Sequence, residues 1–398
     1  MFEDQFVPLE KAAEWSIKME KIKTFFRRET VFCISFLLAV LSALAVRPDR
    51  AYLSYPDYRT LALLFCLMII VAGFQSLGVF SLLGQTLLKR ADSLRRMSVF
   101  LVLLCFFCSM VITNDVTLIT FVPFTVLVFR MVKMEDKVLK LIVLETIAAN
   151  LGSMATPIGN PQNLYLYSAS GLSTSQFVFA VIPYAGLSLI LLLAVLLIQK
   201  NEPLADTAEE ISQTKEPEGK RMTAVLPYLC LLLLCLLVVF RILPFLPVLI
   251  CVGAAVLFIN RRLYASVDYF LLLTFLCFFV FIGNVKRMPG ISGLLFSLVD
   301  GRELWAGILT SQVISNVPAA ILLSGFTDNF AALLTAVNLG GLGTLIASLA
   351  SLISFQSYTR AYPEKKRAFL KVFTVWNLTF LVILAAAAMV LNGMSGRS

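Results

Sequence analysis

The sequence contains no histidine, and only 14% of its 398 residues are charged. Without histidine there can be no Ser-His triad, no histidine-based zinc-protease motif and no histidine proton relay. Soluble domains are about 25% charged, so this low charge, together with 59% hydrophobic residues, indicates an integral membrane protein with many spans. With no histidine and no nucleophile–base pair, we do not expect an enzyme.

The net charge of +9 does not indicate nucleic-acid binding, because the basic residues are not gathered on one soluble face. Lys and Arg form short clusters between apolar runs, which is the positive-inside pattern of membrane proteins. We therefore expect the lipid bilayer as a partner and no nucleic acid. The apolar runs, most of them near the ~20 residues that a spanning helix needs, lie near residues 30–46, 58–84, 97–130, 138–165, 176–199, 223–241, 243–260, 268–284, 304–327, 329–356 and 368–392.

The distribution of basic residues also predicts the topology. Most of the 33 Lys and Arg residues fall in alternate connections, which places those connections on the cytoplasmic side of the cell's inner (plasma) membrane. The N-terminus is then inside and the C-terminus outside. The predicted order is a cytoplasmic N-terminal segment, a first inverted repeat, a cytoplasmic linker, a connector helix and a second inverted repeat, at residues 1–29, 30–199, 200–222, 223–242 and 243–392.

Two apolar runs are interrupted by polar residues and are predicted to form re-entrant helical hairpins. The run 97–130 carries Thr113-Asn-Asp115 at its middle and basic clusters at both ends, so both ends are expected on the cytoplasmic side. Such a segment must turn within the membrane, which is tolerated only where its tip is buried in protein or lines a cavity. The run 304–327 turns at Ser315-Asn-Val-Pro318, where the proline suits the first turn of a new helix.

Glycine and proline interrupt two further spans, each downstream of a hairpin. The first reads Asn150-Leu-Gly-Ser-Met-Ala-Thr-Pro157, and the second reads Asn338-Leu-Gly-Gly-Leu-Gly-Thr344. Glycine lets the backbone unwind and approach closely, and proline removes helix hydrogen bonds. Hydroxyl and amide side chains recur in step: the hairpins match at an offset of 202 residues and the broken spans at an offset of 188.

This repetition predicts the fold class: an all-α polytopic membrane protein with two inverted repeats, each containing a re-entrant helical hairpin and a broken transmembrane helix. Interrupted hydrophobic segments at corresponding places in two halves are the best sequence pointer to a transporter's binding site. Helix N-termini at the interruptions favour an anion, whereas helix C-termini and unwound carbonyls offer oxygen ligands to Na⁺. We therefore expect a secondary transporter with its substrate between the hairpin tips and the broken spans.

The candidate site residues follow from these positions. Those predicted to bind substrate are Thr113, Asn114, Asp115, Asn150, Thr156, Pro157, Asn163, Ser315, Asn316, Asn338 and Thr344. Those predicted to surround Na⁺ are Ser109, Thr113, Asn114, Gly152, Ser311, Ser315, Asn316 and Gly341. The alternative is that the serines and threonines bond to their own helix and the small residues serve helix packing. No cofactor is expected beyond the coupling ion, Na⁺ or H⁺.

Asp115 and Glu145 are the two acidic residues well inside the predicted membrane segments. Intramembrane carboxylates are costly to bury and mark ion or proton pathways by default, so both are candidates for proton coupling. Asp115 has an alternative role as the N-terminal cap of the second hairpin helix. Glu145 precedes the break at Asn150 by five residues, and it could instead pair with a buried polar group.

Three motifs resemble those of the ion-transporter superfamily: Thr113-Asn-Asp-Val-Thr-Leu-Ile-Thr-Phe-Val-Pro123, Ala149-Asn-Leu-Gly-Ser-Met-Ala-Thr-Pro-Ile-Gly-Asn-Pro-Gln-Asn163 and Ser315-Asn-Val-Pro318. This superfamily includes citrate permeases, divalent-anion/sodium symporters, arsenite permeases and certain sodium/proton antiporters. The resemblance covers most of the chain. It implies a scaffold and a mobile transport domain, usually in a homodimer, that work by an elevator-like movement. In the sodium-coupled carboxylate branch, a Ser-Asn-Thr sequence at each tip binds Na⁺ and the carboxylate.

The chain keeps Thr113-Asn and Ser315-Asn but carries Asp115 and Val317 at the third position. An aspartate repels a carboxylate substrate unless it is protonated or bound to a cation, and an Asn-Asp tip is more similar to the arsenite-permease and antiporter branches. The expected function is secondary transport of a small anion, a di- or tricarboxylate such as citrate or an inorganic oxyanion, coupled to Na⁺ or H⁺. The alternatives are arsenite efflux and Na⁺/H⁺ antiport through Asp115 and Glu145.

Overall fold

The structure, a computed structural model, describes residues 19–20, 25, 29–88, 91–203 and 220–395. Within these ranges the regular secondary structure is helical, apart from an isolated bridge between Ser93 and Pro203. Most of the predicted N-terminal segment and most of the predicted linker lie outside the described residues.

The α-helices of the described ranges are numbered here in chain order. They are α1 Thr30–Ala45, α2 Tyr58–Ser76, α3 Val79–Leu88, α4 Leu94–Ile112, α5 Asn114–Met131, α6 Val138–Ser153, α7 Pro161–Ser170, α8 Thr174–Leu197, α9 Lys220–Val239, α10 Phe245–Asn260, α11 Tyr269–Lys286, α12 Pro289–Val299, α13 Glu303–Ile314, α14 Asn316–Leu323, α15 Phe330–Leu339, α16 Leu349–Ala361 and α17 Lys366–Ser395.

Seven helical segments of the described chain are long and apolar enough to cross a membrane. They are Tyr58–Ser76, Leu94–Ile112, Asn114–Met131, Thr174–Leu197, Phe245–Ser266, Tyr269–Lys286 and Pro363–Leu391. Large apolar side chains point outward from several of them, as Phe258 does with 88% of its surface exposed. An outward apolar surface suits contact with lipid, in which a helix satisfies its backbone groups within its own segment. Both features agree with the all-α membrane fold predicted from the sequence.

The order of elements occurs twice, which confirms the predicted repeats. The first series is α1, a 3₁₀-helix at Arg50–Ser54 and then α2–α8; the second is α10, a 3₁₀-helix at Arg261–Ser266 and then α11–α17. The same cap begins the second long helix of each series. Asp57 accepts a hydrogen bond from the backbone N–H of Thr60, and Asp268 accepts one from that of Leu271. Helix α9 lies between the two series.

The described helices fall into two compact units. The smaller unit contains α1, the first 3₁₀-helix and α11, and the larger contains the other helices. In the smaller unit the buried Asn284 of α11 donates to Ser42 Oγ at 3.0 Å and to Tyr52 OH at 2.8 Å. Hydrogen bonds from Arg287 hold the pKa of the exposed Asp49 carboxyl below its ordinary value.

Both predicted hairpins are present in the larger unit, and they differ in length. Helices α4 and α5 have 19 and 18 residues and meet at Thr113, whereas α13 and α14 have 12 and 8 residues and meet at Ser315. Pro318 lies in the first turn of α14, as its sequence context predicts. Downstream, the two predicted broken spans are α6 with α7 and α15 with α16, separated by residues 154–160 and 340–348.

Glycine lets each hairpin pack directly on the broken span of its own repeat. A Cβ added at Gly152 would collide with the backbone carbonyl of Phe106 on α4, and one added at Gly340 would lie 2.7 Å from Ser311 Oγ on α13. The first contact is with backbone, which cannot rotate away. The second is with a side chain, which has more freedom to move.

We predict that Gly152→Ala lowers the free energy of unfolding by about 1–3 kcal/mol, because α4 must shift to admit the methyl group. Gly186→Ala in α8 is the matched control. Nothing lies within 4 Å of its added Cβ, and alanine is more favourable than glycine in a helix interior by about 0.5–1 kcal/mol. Thermal unfolding of the purified variants measures both effects. Equal midpoints would contradict the close approach of α4 and α6.

Candidate functional site

Each hairpin tip is a residue in a backbone conformation that residues other than glycine rarely adopt. Thr113 has φ 72° and ψ 153°, and Ser315 has φ 75° and ψ 155°. This region is essentially restricted to glycine, and another residue in it costs about 1–3 kcal/mol. Such strain persists where the surroundings impose it, and it clusters at functional sites. The matching strain at the two tips therefore marks them as a candidate site.

The asparagine after each tip begins the second hairpin helix and is buried. Asn114 donates its backbone N–H to the carbonyl of Gly159 at 3.2 Å and its Nδ2 to Asn150 Oδ1 at 3.0 Å. In the second repeat, Asn316 lies against the backbone of Gly341, where an added Cβ would come within 2.8 Å of Asn316 Nδ2. Each tip therefore contacts the broken span of its own repeat.

Asn150, near the end of α6, connects the first broken span to the second. Its Oδ1 accepts hydrogen bonds from Asn114 Nδ2 and, at 2.9 Å, from Ser348 Oγ. Its Nδ2 donates to Ser351 Oγ at 3.3 Å. The first hairpin tip is thus joined, through one amide, to the N-terminal end of α16 in the other repeat.

Asn338, near the end of α15, makes the equivalent connection from the second repeat to the first. Its Oδ1 accepts from Asn160 Nδ2 at 3.0 Å, and its Nδ2 donates to Asn163 Oδ1 at 2.7 Å. Asn160 and Asn163 are the N-cap and third residues of α7, as Ser348 and Ser351 are of α16. Corresponding residues are 188 apart in the sequence, so the two sets of hydrogen bonds repeat each other.

The first break is fixed mainly by Asn163 and Thr156. Asn163 is fully buried, and its Nδ2 donates to the carbonyls of Met154 and Thr156 at 3.0 and 2.9 Å. Thr156 Oγ1 donates to the carbonyl of Met110 on α4, and Pro157 is buried in the same turn. Thr156 therefore joins this break to the first hairpin, while the Asn163 amide nitrogen bonds to carbonyls within the break itself.

Gln312 of α13, which the sequence analysis missed, fixes the second break. Its Nε2 donates to the carbonyls of Gly340 and Leu342, both at 2.9 Å, and its Oε1 accepts from the backbone N–H of Thr344 at 2.8 Å. Thr344 itself is exposed. The sequence signal was a polar residue in an apolar helix, at the position where the first repeat has Met110.

Ser109 and Ser311 are fully buried, and both bond to their own helices. Ser109 Oγ donates to the carbonyl of Phe106 at 2.8 Å, and Ser311 Oγ donates to that of Gly307 at 2.7 Å. This is the alternative that the sequence left open for the serines. At the second tip, Ser315 Oγ instead donates to Ala347 O at 3.4 Å, across to the second break.

The two predicted acids lie in different surroundings. Asp115 is the second residue of α5, with Thr113 in the N-cap position, so it is not the cap that the sequence offered as an alternative. A negative charge in this first turn is favoured by the helix dipole. Glu145 is fully buried, and its Oε1 accepts from Thr125 Oγ1 at 2.6 Å. Its Oε2 has no hydrogen-bond partner among the described residues.

Glu303 is a buried acid that the sequence analysis did not single out, because it precedes the apolar run. Its Oε1 accepts from Thr327 Oγ1 at 2.7 Å and from the backbone N–H of Gly301 at 3.1 Å. Thr327 follows α14 and lies 202 residues after Thr125, so threonines at equivalent positions donate to a glutamate in both repeats. Glu303 lines a cavity of about 960 Å³ beside α8, α15 and α17. None of the predicted site residues lines this cavity.

We predict that Thr113→Gly has a free energy of unfolding about 1–2 kcal/mol higher than Thr113→Ala, because only glycine adopts the tip conformation without strain. Both variants lose the hydroxyl, so the difference reports the backbone alone. Ser315→Gly and Ser315→Ala form the same pair at the second tip. Chemical unfolding of the four purified variants measures the differences. Equal stabilities within each pair would show that the tips are not strained.

The chain matches a known protein family and is similar to several individual proteins. A profile of the citrate transporter family matches residues 17–336. The chain is 36% identical over 304 residues to the inner membrane protein YbiR of Escherichia coli K12, covering 75% of this chain and 80% of that protein. It is also 36% identical over 304 residues to an uncharacterized transporter of Methanocaldococcus jannaschii, covering 75% and 81%.

Among solved structures, the YdaH transporter of Alcanivorax borkumensis shares the fold. The TM-score is 0.55 at 15% identity, over 92% of this chain and 98% of that one. The sequence motifs, the helical membrane fold and the family match agree with one another. The Methanocaldococcus and Alcanivorax proteins are named as transporters. The chain is an integral membrane protein that belongs to the citrate transporter family.

Proposed function

We propose that this protein is a secondary active transporter that binds a small anion between the two hairpin tips and the two broken spans. The observation that supports this most is the matched pair of strained tips, Thr113 and Ser315, each followed by a buried asparagine at a helix N-terminus. Helix N-termini present backbone N–H groups and a partial positive charge, which favour an anion.

The proposed substrate is a di- or tricarboxylate such as citrate, or an inorganic oxyanion. Family membership supports a carboxylate, and Asp115 at the first tip restricts how it binds. A carboxylate beside a carboxylate is repelled, so Asp115 must carry a proton or contact a cation when such a substrate is bound. Asp115 is therefore the proposed coupling residue, with Na⁺ or H⁺ as the coupling ion.

The proposed transport movement is of the elevator type, in a homodimer within the inner membrane, with the N-terminus cytoplasmic and the C-terminus outside. The cross-repeat bonds of Asn150 and Asn338 support the elevator movement. They tie the first hairpin tip and both broken spans together, so that these elements can move as one body carrying the substrate.

Na⁺/H⁺ antiport or arsenite efflux is the second candidate, and Glu145 favours it. A fully buried carboxyl with one oxygen unpartnered among the described residues suits reversible protonation in a membrane pathway. Glu145→Gln separates the two candidates. It should abolish pH-dependent Na⁺ exchange if exchange is the function, and it should leave Na⁺-driven anion uptake in place if Asp115 is the coupling residue.

Uptake of labelled citrate and succinate into proteoliposomes, with an inward Na⁺ gradient against a K⁺ control, tests the proposed function. Accumulation that depends on Na⁺ would support carboxylate symport with Asp115 near the cation. No uptake of either acid, by protein shown to be folded, would contradict carboxylate transport and favour oxyanions or Na⁺/H⁺ exchange.

We predict that Asn114→Ala and Asn316→Ala each reduce transport to the level of empty liposomes without unfolding the protein, because both remove an amide from the proposed site. Asn377→Ala is the control: this asparagine is also fully buried, but it lies on α17 and bonds to its own helix. We expect this variant to keep transport. Wild-type uptake by both tip variants would disprove the placement of the site.

A further inference from the structure

The side-chain amide of Gln312, at the second hairpin, is bonded to backbone carbonyls of the second break. Its Nε2 donates to the carbonyls of Gly340 and Leu342 at 2.9 Å and to that of Ile308 at 3.2 Å. Unwound backbone carbonyls beside a helix end are the ligands with which transporters hold Na⁺. An amide nitrogen with two N–H donors satisfies such oxygens from within the protein, and it excludes a cation from the same place.

The first repeat differs at the equivalent positions. The residue equivalent to Gln312 is Met110, whose thioether has no N–H to donate. The carbonyl equivalent to that of Gly340 belongs to Gly152, and it accepts from the backbone N–H groups of Met154 and Ala155. The Gly152 carbonyl is thus bonded to the backbone of its own break, whereas the Gly340 carbonyl is bonded to the side chain of Gln312.

We infer that the Gln312 amide is a built-in substitute for a coupling cation at the second hairpin, so that at most one of the two predicted Na⁺ sites binds an ion. This inference rests on the proposed function, in which coupling ions bind at the hairpin tips. Within it, Gln312 is a positioning residue: it holds residues 340–344 against α13, as an ion would, without an ion being required.

Equilibrium binding of radiolabelled Na⁺ to the purified full-length protein tests this, with choline as the replacement cation. We expect about one Na⁺ per wild-type protomer at saturation, or none if protons are the coupling ion. Gln312→Glu keeps the oxygen that accepts from Thr344 but sets a carboxylate oxygen against the carbonyls of Gly340 and Leu342. We expect this variant to bind about one Na⁺ more than wild type, and its unfolding temperature to rise with Na⁺ but not with choline.

Two further variants complete the test. Gln312→Met copies the first repeat and frees the same carbonyls, so it should also gain Na⁺. Gln176→Glu makes the same chemical change at the exposed capping position of α8, and it should gain none. A general effect of added charge would move both glutamate variants equally, which would overturn the inference.

Two Na⁺ per wild-type protomer would also overturn it, as would unchanged Na⁺ binding in both Gln312 variants. If neither variant folds, the wild-type stoichiometry decides, because two ions contradict a substituted site and one or none agrees with it. Ion binding is measured without any anion, so a failure of citrate or succinate uptake leaves this result readable and the two failures distinguishable.

Discussion

A helix that stops inside a membrane leaves backbone N–H and C=O groups without partners, and lipid supplies none. The larger unit contains four such interruptions, the two hairpin tips and the two breaks, and amide side chains bond to backbone carbonyls at both breaks. Asn163 bonds to carbonyls of the first break, and Gln312 bonds to those of the second. The positions of the hairpins, the buried asparagines and the glycine contacts all depend on this requirement, because each break must be closed by a neighbouring element.

The repeated construction extends this closure across the molecule. Asn150 and Asn338 each lie near the end of one helix and contact the beginning of a helix in the other repeat. Side chains near the end of one helix of each broken span therefore bond to side chains that begin a helix in the other repeat. An anion site at such a place needs few charged side chains, since helix ends supply the polarity. This agrees with a chain that has so few charges.

Much of this architecture can be predicted from the sequence, because polar and glycine residues stand out in apolar runs. The tips at Thr113 and Ser315 and the breaks after Asn150 and Asn338 were located in this way. The bonds between repeats could not be, since an offset of 188 identifies equivalent residues but not which of them face each other. Gln312 is visible as a polar residue in an apolar helix, but its partners are backbone carbonyls, and a sequence does not show which carbonyls an amide faces.

In the proposed function, the hairpin tips and the broken spans together bind the transported anion. The most direct measurement is a cryo-electron microscopy reconstruction of the protein in lipid nanodiscs, with the anion that uptake assays identify. We expect density for the anion in contact with Asn114 and Asn316. Anion density in the cavity beside Glu303, with none at the tips, would contradict this placement.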